Sequence, residues 1–124
     1  MAAFMAFFDG STTAWRIDVG ALSAGIAELW GELEVDPARR GEVCAFRWSC
    51  RSGERPAEVL MAEDGTGLYL DAPLSEAVRV ACLLRRFVPE AVELVFCDEG
   101  YCFDVRVRPE ASAAELMAEV EVQC

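Results

Sequence analysis

Carboxylates and thiols are the residues of this chain that could do chemistry, because two common catalytic side chains are missing. The 124 residues include no His and no Lys, and all 11 basic residues are Arg. Their absence excludes Ser-His and Cys-His nucleophile pairs, Schiff-base chemistry at Lys, and metal sites with His ligands. We therefore expect a protein that is not an enzyme and that carries no cofactor.

Six cysteines supply the other reactive group. Their closest spacings are C-x4-C and C-x5-C, and the C-x-x-C pairing of many zinc sites is absent. We expect no metal site, and we expect most of the thiols to be small core hydrophobes. A disulfide between Cys97 and Cys102 is the alternative for an oxidising environment, although the reduced pair is favoured. The six are Cys44, Cys50, Cys82, Cys97, Cys102 and Cys124.

Acidic residues gather at two turns of the predicted structure. Glu63 and Asp64 form one group, and Asp98, Glu99 and Asp104 form the other. Paired carboxylates can act as general acid and base, but turns attract Asp and Glu for solvation and local hydrogen bonds. A small enzyme that uses carboxylates therefore ranks below a binding protein.

Two tyrosines indicate where a partner would bind. Tyr101 follows Asp98 and Glu99 in the second turn, and Tyr69 should point away from the core face of its strand. A Tyr ring among carboxylates can hold a cation through ring contact and charge together. We predict a partner-binding site made of Asp98, Glu99, Tyr101, Asp104 and Tyr69, with packing over their own hairpins as the alternative for the tyrosines.

The net charge limits the partners that the chain can bind. With 22 acidic residues against 11 basic ones the chain carries −11, and such a field repels nucleic acid and anionic membranes. It suits a basic protein or a cationic ligand, although solubility alone also explains it. No apolar run is long enough to span a membrane, and the first residues lack the basic region of a signal peptide. We expect a cytoplasmic protein with reduced thiols.

Hydrophobic spacing in the first half predicts one helix and three strands. Alternation of apolar and polar residues predicts strands over 12–19, 42–50 and 57–62. Apolar residues spaced by three and four predict a helix whose stripe covers 22–33. The residues 35–41 are predicted to form a loop.

A first hairpin is predicted at the Asp-Gly dipeptide of 64–65, which is a strong turn signal. Its register sets Met61 opposite Leu68 and Val59 opposite Leu70. A helix follows over 71–88. Its polar strip is narrow, so we expect the third helix or a second copy of the chain to cover its other side. That strip consists of Ser75, Glu76, Arg79, Arg85 and Arg86.

The sequence also predicts how the second helix begins, and it predicts a second hairpin over 92–107. Asp71 is predicted to cap the helix, and Pro73 is tolerated in its first turn. In the hairpin, apolar residues meet on one face and opposite charges meet on the other, and a slip of one residue would destroy both matches. The predicted pairs are Cys97 with Cys102, Phe96 with Phe103, Leu94 with Val105, and Glu93 with Arg106.

The whole chain therefore predicts one α+β domain in the order βαββ, βαββ, α. Its sheet is mostly antiparallel, with two long helices on one face and a short C-terminal helix over 112–122. The segments of about 12–62 and 66–108 echo each other, which we interpret as an internal duplication, with chance similarity as the alternative. The apolar residues 1–8 could be an extra edge strand, a partner contact or a frayed start.

Two resemblances bear on function. The stretch LVFCDEGY at 94–101, followed by 103–105 and a capped last helix, looks like small uncharacterised actinobacterial proteins, some of which are immunity-type proteins that neutralise a toxin by binding it. This resemblance covers the C-terminal half and implies a protein partner. The duplicated βαββ order is similar to the tandem modules of GyrI-like ligand-binding domains, which implies a cationic ligand between the two halves.

These observations predict a non-enzymatic, acidic binding protein of the immunity type, which neutralises a cationic protein partner. The alternative is a module that binds a small cationic ligand at the seam between the two halves. A second copy of the chain is a further candidate partner.

Overall fold

Seven strands and three helices make up the part of the chain that the computed structural model describes, residues 3–31, 34–37, 44–50, 57–62, 64–100 and 102–123. The strands are β1 (Ala3–Phe7), β2 (Glu34–Pro37), β3 (Cys44–Cys50), β4 (Ala57–Ala62), β5 (Gly67–Asp71), β6 (Leu94–Asp98) and β7 (Asp104–Val107). The helices are α1 (Val19–Trp30), α2 (Leu74–Phe87) and α3 (Ala113–Gln123). All seven strands join in one antiparallel sheet of order β2-β3-β4-β5-β1-β6-β7.

The helices lie side by side against one face of this sheet, with α2 between α1 and α3. A Cβ atom added to Gly25 of α1 would come within 2.9 Å of Leu83 in α2, so α1 and α2 pack too closely there for a side chain. Strand residues that face the helices, such as Trp48 and Phe96, are fully buried. The structure thus confirms the predicted α+β class, with an antiparallel sheet, two long helices on one face and a shorter C-terminal helix.

The N-terminal segment supplies a central strand, and the predicted strand over 12–19 is wrong. β1 pairs with β5 on one side and with β6 on the other, so it is not an edge strand. Residues 8–18 form a loop. Apolar and polar residues alternate in it because alternate side chains are buried, and not because it is a strand. Ile17 is buried, Trp15 packs partly buried against the core, and Arg16 between them donates to three carbonyl oxygens of the loop.

Local capping sets the ends of α1. The carboxylate of Asp18 accepts a hydrogen bond from the N–H of Ala21 at 3.1 Å, and Gly31 ends the helix with a φ of 78°. The helix therefore begins before the predicted stripe. The loop predicted after it is wrong where β2 forms, and its remainder lies outside the described residues. Pro37 is compatible with β2 because β2 is an edge strand of the described sheet, and edge strands tolerate proline.

The hairpin of β4 and β5 has the predicted register. Met61 lies opposite Leu68 and Val59 lies opposite Leu70. The turn is fixed by Gly65, whose φ is 73°, and by neighbouring side chains that hydrogen-bond within the turn. The turn residues and the matching of apolar residues both favour this register, which is why the sequence was enough to predict it.

α2 begins later than predicted, because Asp71 is the last residue of β5 and does not cap the helix. Pro73 occupies the N-cap position and gives the helix no side-chain hydrogen bond. Arg85, predicted on the polar strip, is instead 3% exposed. Its guanidinium donates to the carbonyl oxygens of Val92 at 2.7 Å and Pro89 at 2.6 Å. It thus holds the end of α2 against the chain that leads into β6.

The register of β6 and β7 differs from the prediction by two residues. Phe96 lies opposite Val105 rather than Phe103. The turn is longer than predicted because the carboxylate of Asp98 accepts hydrogen bonds from main-chain N–H groups beyond it. A shift of two keeps every side chain on its predicted face, so Phe96 stays in the core with its ring centroid 5.3 Å from that of Phe103.

One predicted contact of this hairpin survives the shift. Glu93 and Arg106 are diagonal neighbours rather than opposite residues, and their charged groups lie 3.4 Å apart. Both side chains are about 70% exposed, so this ion pair contributes little to stability. It does confirm that Glu93 and Phe96 lie on opposite faces.

The C-terminal helix is capped as predicted, since the hydroxyl of Ser112 accepts a hydrogen bond from the N–H of Glu115 at 3.2 Å. α3 covers the side of α2 that α1 leaves free. The strand order gives the predicted duplication no support. The first strand of one hairpin, β6, lies next to β1, whereas the last strand of the other, β4, lies next to β5.

Candidate functional site

The sheet face opposite the helices keeps side chains accessible. On β5, Leu68 and Leu70 turn to the helices and are 1% exposed, whereas Tyr69 between them is 45% exposed. This confirms that Tyr69 points away from the core, and Phe7 on β1 is also partly exposed. We call this surface the open face. Its described side chains are those of Met5, Phe7, Ser49, Glu58, Leu60, Ala62, Tyr69, Asp71, Val95, Cys97, Asp104 and Arg106, of which Cys97 is fully buried.

A row of directly paired residues crosses the open face from β4 to β7. The row is Leu60, Tyr69, Met5, Cys97 and Asp104. Neighbouring strands are about 4.8 Å apart, so Tyr69 and Asp104 are separated by roughly 14 Å. The structure thus places two of the five predicted site residues on the same face without direct contact.

Two carboxylates lie directly opposite each other beside Tyr69. Glu58 of β4 pairs with Asp71 of β5, and both side chains are partly buried. Neither has an ion-pair partner among the side chains that the structure describes. Directly opposite residues have Cβ atoms about 5 Å apart, so the two negative charges repel each other and favour a cation between them. We call Glu58 and Asp71 the acidic pair.

The other predicted site residues, on the second hairpin, have different roles in the structure. Asp98 ends β6, and its Oδ1 accepts hydrogen bonds from the N–H of Cys102 at 2.6 Å and of Phe103 at 3.5 Å. Its carboxylate therefore holds the turn instead of facing a partner. Glu99 is exposed, and Tyr101 lies outside the described residues. Of the residues in this turn, Glu99 alone is described with a carboxylate open to solvent.

The described thiols are in two states. Cys82 and Cys97 are free and buried, whereas Cys102 is disulfide-bonded. The Cys97–Cys102 bond is thus excluded, and the expectation of reduced thiols is wrong for Cys102. Burial raises the pKa of Cys82 to about 11 and also raises the pKa of Cys97. Both therefore stay protonated near neutral pH and are poor nucleophiles.

Sequence reasoning missed the acidic pair although the signal was present. The register predicted for the first hairpin already sets Glu58 opposite Asp71, because it is the register that the structure shows. The sequence pattern predicts Asp71 as the cap of the second helix instead, and a residue in that role would not be placed opposite Glu58 on the sheet.

A separate groove of about 600 Å³ runs between β7 and α3 at the end of the sheet. Asp104, Arg106 and Arg108 line its strand side, and Glu119, Val122 and Gln123 line its helix side. Among the described residues, no group of three or more Cys, Asp or Glu side chains could hold a metal ion. No helix in that part of the chain is long and apolar enough to cross a bilayer.

Neither a protein-family model, nor a curated protein, nor a solved structure matches the chain. The resemblances to immunity-type proteins and to GyrI-like modules therefore stay predictions. The open face, with its acidic pair and Tyr69, is the basis on which we argue function.

Proposed function

We propose that this chain is a non-enzymatic binding protein that neutralises a basic protein partner, as immunity-type proteins do, by holding the partner's cationic side chains on its open face. The observation that carries the proposal is the acidic pair beside the half-exposed ring of Tyr69. Two like charges placed opposite each other lower the stability of the fold. A cation from a partner, bound between them, would be attracted by both.

The parts of the site have different roles. An Arg or Lys of the partner lies between Glu58 and Asp71, where both carboxylates can bond to it. The ring of Tyr69, on the same strand and face as Asp71, contacts the cation or its aliphatic stem. Leu60 and Met5 flank the ring in the central row and supply apolar area. The net charge of −11 speeds encounter with a basic partner.

A protein partner fits the described structure better than a small cationic ligand at the seam between the halves. The two halves meet where β4 pairs with β5. On the helix side of this pair Val59, Met61, Leu68 and Leu70 are all buried and belong to one packed cluster. The groove between β7 and α3 lies at the end of the sheet instead. The accessible surface at the seam is the open face, which suits a protein surface.

The test is to identify a partner by capture from the source cells and then to measure binding kinetics at two salt concentrations. Glu58→Gln combined with Asp71→Asn should slow association, flatten its dependence on salt and also speed dissociation, because these carboxylates both attract the partner's cation and bond to it directly. Tyr69→Ala should speed dissociation and cost on the order of 2 kcal/mol, which is roughly 30-fold in affinity.

The matched control is Glu99→Gln, which removes one exposed carboxylate from the second hairpin. It should leave the dissociation rate unchanged and alter association only slightly. An acidic partner would contradict the proposal, as would a partner that binds the open-face variants at wild-type rates. If Glu99→Gln and Tyr101→Ala alone weaken binding, the site is the second hairpin as the sequence predicted.

Location remains part of this proposal, and we expect the cytoplasm. The disulfide at Cys102 provides the check, because cytosolic thiols are normally kept reduced. If the protein is cytoplasmic, alkylation of thiols in intact cells should trap Cys102 mainly as the free thiol, and the disulfide seen in the structure would then form only after the cells are opened. Quantitative oxidation of Cys102 in those cells would instead indicate an oxidising compartment.

A further inference from the structure

The outer edge of β7 is a second surface, separate from the open face, to which a different partner could bind. β7 is the last strand of the sheet, so none of the strands that the structure describes borders its outer edge. At this edge the N–H of Asp104 donates to Oε1 of Gln123 at 3.0 Å, and the carbonyl oxygen of Asp104 accepts a hydrogen bond from Nε2 of Gln123 at 3.0 Å. The main chain of Asp104 therefore points out of the sheet.

Gln123 occupies the place of a strand residue. Its amide makes the same two reciprocal hydrogen bonds that an opposite residue makes in a hydrogen-bonded pair of an antiparallel ladder. Along an antiparallel strand the main chain points to alternate sides with a period of two residues. Arg106 therefore also presents its N–H and carbonyl oxygen to the outer edge.

The space beside this edge is the groove of about 600 Å³ between β7 and α3. Val122 stands on its helix side with 87% of its surface exposed. The exposed ion pair between Arg106 and Glu93 is weak, so it does not hold Arg106 away from another partner. An extended segment can enter the groove if it replaces Gln123 at the main chain of Asp104.

The sequence of β7 indicates which segment fits. β7 reads Asp-Val-Arg-Val, with Asp104 and Arg106 exposed and the two valines facing the helices. We propose that β7 pairs with β7 of a second copy of this chain across a two-fold axis at Val105, to form one continuous sheet. In that register Asp104 of each copy lies opposite Arg106 of the other.

Charge complementarity selects this register among those that the main chain allows. A shift of two residues in one direction places Asp104 opposite Asp104 of the second copy. A shift in the other direction places Arg106 opposite Arg106, and sets Asp104 opposite Arg108, which lies beyond β7 and is already paired with Glu119 at 2.9 Å. Like charges directly opposite each other are unfavourable. The chosen register instead places opposite charges at both hydrogen-bonded pairs and brings the two Val105 side chains together. The strand is therefore complementary to itself in the antiparallel sense that a two-fold dimer requires.

Sedimentation equilibrium of the full-length chain tests the proposal. The wild-type protein should form a reversible dimer. Gln123→Ala should lower the dimer dissociation constant by about tenfold, because the edge of Asp104 then has no competing amide. Non-reducing gels exclude a disulfide-linked dimer, and circular dichroism confirms that each variant is folded.

Charge exchange within β7 supplies the matched controls. Asp104→Arg and Arg106→Asp should each raise the dissociation constant by about tenfold or more, whereas the double exchange should restore it to within a few-fold. Asp104→Arg lowers the net negative charge by two, so general repulsion between copies predicts tighter association for this variant, opposite to our expectation. Wild-type and Gln123→Ala proteins that both stay monomeric would overturn the proposal. So would a dimer that neither single exchange weakens.

Discussion

Leu68 and Leu70 are 1% exposed while Tyr69 between them is 45% exposed, and this alternation separates two surfaces with different physical demands. The helix-covered face carries apolar side chains that pack against α1 and α2. The open face carries an exposed aromatic ring and two carboxylates that repel each other. Stability therefore comes mainly from one face, and the other face is arranged against the preferences of an isolated folded chain.

An unfavourable arrangement of charges on a protein surface can be kept where it serves binding. Natural proteins often give up stability at a binding surface in exchange for activity there. On this view a substitution on the helix-covered face should cost stability, whereas a substitution on the open face should cost binding.

Phe96→Ala should have the largest effect. Phe96 is fully buried on the helix-covered face and stacks near Phe4, so loss of its ring should cost about 3–5 kcal/mol of unfolding free energy. The neighbouring residue Val95 lies on the open face, and Val95→Ala should cost less than about 1.5 kcal/mol. Chemical denaturation of both variants measures the difference. Similar losses for the two substitutions would remove the distinction between the faces.

Arg85→Met should cost about 2–3 kcal/mol, since several carbonyl oxygens at the end of α2 each lose a donor. The guanidinium donates to Val92 and Pro89, and also to the carbonyl oxygen of Val88 at 3.2 Å. Arg86 is exposed, so Arg86→Met is the matched control and should change stability by less than about 0.5 kcal/mol. An unfolding curve for Arg85→Met that coincides with that of the control would show that the buried cation is dispensable.

Cys82 gives a smaller effect that depends on pH. Burial raises its pKa from an ordinary value of 9.0 to about 11, so between these values the folded chain binds more protons than the unfolded chain. The unfolding free energy should therefore fall as pH rises from about 9 to 11, with the full contribution of Cys82 present below pH 9. Cys82→Ala should show a shallower fall over this range, and identical pH profiles would contradict the expectation.

The two hairpins show how far the sequence could go in predicting the fold. The sequence predicts the register of the first hairpin from its Asp-Gly turn, and that of the second by matching apolar residues and charges across the strands. In the first, Gly65 fixes the turn, and the register is correct. In the second, the carboxylate of Asp98 extends the turn, and the register is shifted by two. Matching of faces cannot detect such a shift, because side chains alternate with a period of two.

The other errors come from contacts between residues distant in sequence. β1 reads as an unbroken apolar run because Phe4 and Ala6 face the helices while Met5 and Phe7 lie on the open face, so no alternation marks it as a strand. Arg85 lies where helical spacing predicts a polar strip. Its burial depends on carbonyl oxygens that only the folded chain brings together. The candidate site shows the same limit. The strand pattern of β5 predicts that Tyr69 is exposed, whereas the acidic pair can be predicted only if Asp71 is placed in the strand and not in the helix.

Glu58→Gln should have the smallest effect and the opposite sign. The substitution keeps the shape of the side chain but removes one of two negative charges that lie directly opposite each other. It should raise the unfolding free energy by about 0.5 kcal/mol, which is typical of a like-charge cross-strand pair. Glu99→Gln removes an equal charge from an exposed turn residue, so it controls for the change in net charge. Chemical denaturation at low salt measures both, and added salt should narrow the difference because it screens the repulsion. If Glu58→Gln is less stable than Glu99→Gln, the acidic pair is not strained, and the view that the open face gives up stability for binding is wrong.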